Sequence, residues 1–394
     1  MSNLVTSNSS STATDSTTER LNIHHRKAAE HHHHQSLLPG LPDHIAQLCL
    51  FLVHPSILYS VCRSWRRLIY SPSFPPFLSI YTLLISTQNQ DNSIEYSSFD
   101  PISNKWWSFP PPPPDPPLRF LLRHCSFISR KFPIQSVSVS GNLVLLAATT
   151  DEFLPALSRP LIFNPLIQKW TYGPPLFTPR RWCAAGASGD VVYVVSGIGS
   201  HYSTEVARSV EKWNLHNNNN SHLSHKKLWG FENDWSWERM GGLKHGKFSR
   251  DAIDAIGWRG KLCMVNVKGK AAKEGAIYDV QTDVWEEMPE GMLAGWWGPA
   301  AAMEEDTIYM VDESKGALRK YDHGRDKWVL ILESGVLKGA QQMAAGGGRV
   351  CVVRGDGIGI VVVDVVAPPY RFWIVDTPPG LQAVTINILP RLSP

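Results

Sequence analysis

The stretch GAIYDVQTDVWEEMP, Gly275 to Pro289, sets out a unit that much of the chain repeats. Apolar residues lead into Asp279, whose short carboxylate is suited to holding the backbone of a tight turn. After the turn a second short strand carries Trp285. An indole at that point offers a large apolar surface suited to covering the interface between neighbouring units.

The same arrangement returns in IEYSSFDPISNKWWSFP (94–110), PLIFNPLIQKWTYGP (160–174), GALRKYDHGRDKWVLIL (316–332) and GIVVVDVVAPPYRFWIV (359–375). A degenerate copy runs from SVEKWNL (209–215) to WSWERM (235–240). Trp106, Trp170, Trp237, Trp285, Trp328 and Trp373 are the expected anchors, and the last three intervals are 48, 43 and 45 residues. A period of ~40–50 residues with two-residue alternation is that of a propeller blade. The two longer intervals contain a polyproline run (Pro110–Pro117), expected as an extended connector, and an asparagine-rich insertion (Asn217–Lys227). The expected fold is mostly β: a six-bladed β-propeller over residues 77–394, each blade a four-stranded sheet. The first blade, starting at FLSIYTLLIST (77–87), lacks an innermost strand, while LQAVTINILP (381–390) is a lone strand. Ala383 to Leu389 is expected to fill that place and close the ring, removing an open sheet edge.

Ahead of the propeller the pattern changes. Residues 1–36 are Ser, Thr and His rich and end in a run of histidines (31–34), a composition expected to stay disordered. Residues 37–76 read as two short amphipathic helices in a hairpin, with Asp43 as a cap. Ile45, Leu48, Cys49 and Leu52 recur on one face, and Leu58, Val61, Trp65 and Leu68 continue the spacing. A hairpin this small cannot bury both faces alone and needs a partner surface.

The 394 residues carry a net charge of +3, too near neutral to mark a nucleic-acid binder. No apolar run approaches the ~20 residues of a membrane span, and no secretory leader is evident, so no membrane partner is expected. The six cysteines are scattered without a CxxC pair, which suits a reducing cytoplasm or nucleus rather than a zinc site or disulfide framework.

LPGLPDHIAQLCLFLVHPSILYSVCRSWRRLI (38–69) resembles an F-box, with Leu41, Pro42, Ile45, Leu52, Val61, Cys62, Arg63, Trp65 and Arg66 at the pattern positions. The link between its helical runs is shorter than the usual F-box pattern. The Tyr-Asp…Trp units resemble kelch repeats. Together they resemble plant F-box/kelch-repeat proteins over residues 37–394. That resemblance implies a substrate receptor in a Skp–cullin–F-box ubiquitin ligase: the F-box docks on the Skp adaptor and through it a cullin, and the propeller captures a target protein. The adaptor-binding residues it implies are Leu41, Pro42, Ile45, Leu48, Leu52, Val61, Cys62 and Trp65.

Loops that lead into the inner strands emerge at one end of such a ring. They hold PRRWC (179–183), KFSRD (247–251), GWWGP (295–299) and GAQQM (339–343). Arg and Trp are enriched at binding hot spots. Arg180, Arg181, Trp182, Phe248, Arg250, Trp296, Trp297 and Gln341 are therefore expected as a substrate rim, against the alternative that they pack between blades. No GxSxG, HExxH or phosphate-cradling loop is present, and no spaced His and Tyr set suggests a copper enzyme of the galactose-oxidase type. No catalytic residue, metal or cofactor is expected. A propeller scaffold without a ligase role and a copper enzyme stand as the competing classes.

Overall fold

The computed structural model describes residues 36–86, 93–116, 118, 134–150, 152–215, 235–246, 248, 253–266 and 273–392. The expected disordered tail (Ser36 apart), the asparagine-rich insertion and Arg250 lie outside them. Six antiparallel sheets are present, one per blade.

Blade 1 holds β1 (Leu78–Ser86), β2 (Ile94–Asp100) and β3 (Lys105–Ser108). Blade 2 holds β4 (Gln135–Val139), β5 (Asn142–Ala147), β6 (Leu161–Asn164) and β7 (Lys169–Tyr172), and blade 3 β8 (Ala184–Ser188), β9 (Val191–Val195), β10 (Val210–Asn214) and β11 (Glu238–Met240). Blade 4 comprises β12 (Ile253–Trp258), β13 (Lys261–Asn266), β14 (Glu274–Asp279) and β15 (Val284–Glu287). Blade 5 comprises β16 (Ala300–Met303), β17 (Thr307–Asp312), β18 (Ala317–Asp322) and β19 (Lys327–Glu333). Blade 6 comprises β20 (Gln342–Gly346), β21 (Arg349–Val353), β22 (Gly359–Asp364) and β23 (Arg371–Asp376).

The inner position of blade 1 is filled from the far end of the chain. There β24 (Leu381–Ala383) pairs with Leu84–Ser86, and β25 (Asn387–Pro390) pairs with Leu78–Tyr81, both antiparallel to β1. Between them Thr385 keeps the strands joined: its carbonyl accepts from Thr82 Oγ1 at 2.6 Å and its own Oγ1 accepts from Leu83 N–H at 3.2 Å. The inner strands β4, β8, β12, β16, β20 and β25 follow one another around a closed ring. They come so close that a Cβ on Gly257 would sit 1.9 Å from the carbonyl oxygen of Ala187 in the next blade, so only glycine fits. The channel they leave, about 270 Å³, is lined by Ser136, Ser138, Ala185, Ala255, Ala301, Asn387 and their inner-strand neighbours.

The indoles stitch neighbouring blades. Trp106 donates to the carbonyl of Asp376, Trp170 to Pro110, Trp237 to Pro174, Trp285 to Gly241 and Trp328 to Met292, at 2.7–3.0 Å. Each thus reaches the segment at or just after the outer strand of the preceding blade. Trp373 is corrected. Trp106 faces Phe99, Trp170 faces Phe163, Trp285 faces Tyr278 and Trp328 faces Tyr321 across the outer strand pair, but in blade 6 the residue opposite Val363 is Phe372. Trp373 is one residue further along, so it points to the opposite face of the sheet; Phe372 holds the register place, with 40% of its surface exposed and no indole N–H to donate.

A second device recurs beside the indoles. Tyr278 donates to Asp283, whose carboxylate also accepts from Gly241 N–H; Tyr321 donates to Asp326, which accepts from Gly291 and Met292 N–H. The hydrogen bond from Tyr321, with help from the two N–H groups, holds the Asp326 carboxyl below its usual range. A depressed carboxylate stabilises the fold above about pH 4, the unfolded value, and that contribution fades as pH falls through the lower folded value. The acid limb of the melting-temperature profile is therefore expected to be flatter in Asp326→Asn than in the native chain, from a lower starting point at neutral pH.

The N-terminal unit has three helices rather than two: α1 (Asp43–Phe51), α2 (Pro55–Val61) and α3 (Arg63–Ile69). Cys62 is extended (φ −154°, ψ 168°) and breaks the second run. Pro42, not Asp43, occupies the cap of α1; Asp43 accepts instead from Leu37 N–H at 3.1 Å. His54 caps α2 by accepting from Ser56 N–H. Leu50, Leu58, Leu68, Ile69 and Phe74 form a small core, extended onto the propeller by Ile102.

The unit is held to blade 1 at a defined joint. Tyr70 donates to Asp100, and Arg391, just past β25, donates to the carbonyl of Ser71 and lies over the rings of Tyr70 and Phe77. Since β1 starts beside this joint, the helices sit at the end of the ring opposite the loops that lead into the inner strands.

Candidate functional site

The residues singled out in the sequence lie at opposite ends of the ring. The first set is on the helices. Small helices bury what their own core needs, and here Leu50 and Leu58 go inward while Leu41, Ile45, Leu48, Leu52 and Val61 stay out. Leu52 is 89% exposed and Leu48 60%. Ile57, which the spacing argument passed over, joins them at 56%. Side chains of this kind each contribute ~1.5–3 kcal/mol when fully buried, and these six remain exposed. Pro42 is exposed and Cys62 partly so. Trp65 is half-buried, with its indole N–H donating to the carbonyl of Leu37 at 2.8 Å; it braces the unit from within.

The second surface is the loop end. Arg181 and Trp182 are half-buried, with the Arg181 guanidinium 4.5 Å over the Trp182 ring. Trp297 is 47% exposed and carries the Lys273 ammonium 3.2 Å above its ring. Lys273 also donates to the carbonyl of Ala294 at 2.8 Å, and burial pushes its pKa down to about 8. Gln341 is half-buried and donates to the carbonyl of Gly355. Exposed Phe177, Tyr202 and Ile358 lie on loops of the same end. Their signal, single apolar residues inside turns, is too short to read in sequence.

Arg180, Phe248 and Trp296 are corrected: all three are buried and none forms an open rim. Trp296 packs edge-on against Trp328 and donates to the carbonyl of Gly298. Phe248 joins the core of blades 3 and 4. Arg180 pairs with Glu211, both side chains 1% exposed, and donates further to Ser196 O and Ser209 Oγ. Glu211 also accepts from Phe177 N–H, and burial raises its pKa against the pull of Arg180. Removing one member strands a buried charge, which costs roughly 3–5 kcal/mol. Glu211→Ala is thus expected to lower the melting temperature sharply, whereas Arg181→Ala, on the half-exposed neighbour, leaves it nearly unchanged.

Among the described residues no group of three or more His, Cys, Asp or Glu is placed to hold a metal ion. No helix among them is long and apolar enough to cross a membrane.

No family profile matches the chain. The F-box/kelch-repeat protein SKIP25 of Arabidopsis thaliana, however, is 50% identical over 369 residues, covering 91% of this chain and 90% of the relative. This chain is an F-box/kelch-repeat protein. The F-box protein AFR of the same plant is 23% identical over 71% of this chain and 69% of its own length. A further Arabidopsis F-box/kelch-repeat protein, At1g22040, is 21% identical over 75% and 71%. Membership assigns the helices to the F-box and the six sheets to the kelch propeller. It also supports a substrate-receptor role in general.

Proposed function

We propose that this chain is the substrate-recognition subunit of a Skp–cullin–F-box ubiquitin ligase, acting in the cytoplasm or nucleus. The observation that carries this reading is the exposed apolar face of Leu41, Ile45, Leu48, Leu52, Ile57 and Val61 on a unit whose other face already has a core. An amphipathic helical surface of that kind suits docking on the helices of a Skp adaptor. The adaptor then recruits the cullin, and the opposite end of the propeller, with Arg181, Trp182, Lys273 and Trp297, takes the target protein. The geometry favours this division because the two partners meet opposite ends of the ring and do not compete.

Mixing the purified protein with a purified Skp adaptor tests the first half: a stable complex at micromolar concentration is expected on size exclusion, and two separate peaks would overturn the reading. Proximity labelling under proteasome inhibition tests the second. Trp297→Ala combined with Arg181→Ala is expected to remove the captured target while retaining the adaptor. A target list unchanged by the pair would move the capture surface elsewhere.

A further inference from the structure

A cleft of about 330 Å³ opens at the loop end of blade 3. Three segments build it. Thr178 and Arg180 come from the loop ahead of β8, α4 (Thr204–Arg208) lies between β9 and β10, and Arg239, Met240 and Gly242 stand at and beyond the end of β11. Strand register sets charge along one wall: Arg239 faces Glu211 across β10 and β11, and Glu211 is the buried partner of Arg180.

Arg180 is spent on that pair, but two other arginines are open to solvent. The Arg239 side chain is 59% exposed, and its guanidinium lies 4.8 Å over the ring of Phe177. Stacking of this kind holds the planar fork in place and leaves its N–H edge available. Arg239 also meets Glu205 at 3.4 Å, but the Glu205 side chain is 77% exposed. Such a surface pair contributes little and gives way easily to another carboxylate. Arg208 is exposed as well. Its Nε donates to the carbonyl of Leu243 at 2.7 Å, and its own carbonyl accepts from Leu243 N–H at 2.8 Å. Those bonds position the side chain, and no described residue takes up its terminal nitrogens.

The surroundings are one-sided. Residues 173–183, 196–209 and 239–246 frame the cleft and carry Arg180, Arg181, Arg208, Arg239 and Lys244, with Glu205 as their one acidic residue. Once Glu211 is set against Arg180, three positive charges remain in excess. We infer, on the reading that the loop end captures the target, that this cleft takes an acidic segment of that target. Its Asp or Glu carboxylates meet Arg239 and Arg208, and Phe177, 51% exposed, supplies apolar contact beside them. The charge excess selects an anion, and guanidinium groups held on separate elements each take a carboxylate of their own.

The probe is a fluorescein-labelled hexaglutamate peptide, titrated with the full chain and followed by fluorescence anisotropy, with hexaglutamine as its neutral counterpart. Saturable binding at micromolar protein is expected, weakening as salt screens the charges. Arg239→Ala and Arg208→Ala should each weaken it about fivefold or more. Arg325→Ala should not, because Arg325, 80% exposed, lies on the β18–β19 turn at the F-box end. Arg239 is exposed, so its variant stays folded and decides the matter even where Arg208→Ala does not fold. Absence of hexaglutamate binding, equal affinity for hexaglutamine, or an equal loss in Arg325→Ala would overturn the inference. A phosphoserine peptide that binds where hexaglutamate does not would also overturn it, assigning the cleft to phosphate recognition. These outcomes leave the capture role of the loop end untouched, since that role is read from target labelling in the Trp297 and Arg181 variants.

Discussion

Leu48→Asp combined with Leu52→Asp is expected to abolish binding to the Skp adaptor and leave the melting temperature unchanged. Leu48 on α1 and Leu52 at its C-cap project into solvent, at 60% and 89% exposure, so a carboxylate at either place disturbs nothing inside the F-box. Burying two leucines against a partner contributes ~3–6 kcal/mol, and forcing two carboxylates into the same contact adds a desolvation cost. The affinity loss should exceed ~100-fold, since each 1.4 kcal/mol is worth a factor of ten. Leu58→Asp gives the contrasting result: Leu58 is fully buried in the F-box core, so that variant should lose fold and binding together. Undiminished adaptor binding by the double variant would show that the exposed face serves another partner.

Ending the chain at Gly380 is expected to be the most damaging change to the propeller. The cut removes β24 and β25 and with them every inner-strand pairing of blade 1, from Leu78 opposite Pro390 to Ser86 opposite Leu381. It also removes buried Ala383, Val384, Ile386 and Leu389, and exposes β1 as an open edge. Apolar burial alone puts the loss at about 5 kcal/mol or more, comparable with the whole stability of many domains. The melting temperature should fall by more than about 10 °C, or the product should aggregate. A variant ending at Leu392 keeps both strands and should melt like the full chain. Because Arg391 leaves with the longer cut, the F-box joint at Tyr70 and Ser71 loosens too, and limited proteolysis should sever the F-box from the propeller.

Much of this architecture is legible because a propeller is a repeat. The Tyr-Asp turn and the following Trp recur for local reasons, and the same local reasons give the same blade wherever they occur. The exposed face of α1 was legible too, since helical spacing put Ile45, Leu48 and Leu52 on one side with nothing nearby to cover them. Blade 6 shows the limit. Its turn between β22 and β23 sets Phe372 opposite Val363, so a one-residue slip takes the conspicuous Trp373 out of the anchor register.

The loop end was less legible for a related reason. Arg180 and Arg181 are adjacent and of one type, as are Trp296 and Trp297, yet one of each pair is buried and the other reaches solvent. Outside a regular strand no sequence period decides between them. For Arg180 the choice falls to Glu211, a residue 31 positions away, and for Trp296 to Trp328 across the blade interface. The sequence by itself determined the number of blades and the unpartnered helical face, which follow from periodicity over short range, and pointed to the closing strand because one inner strand is missing and one lone strand is left over. Only the tertiary structure decided which arginine and which tryptophan face outward, that Phe372 rather than Trp373 takes the sixth register place, and that Arg391 locks the F-box to the ring. Those are settled by contacts between residues far apart in the chain, where burial and charge pairing outweigh local preference.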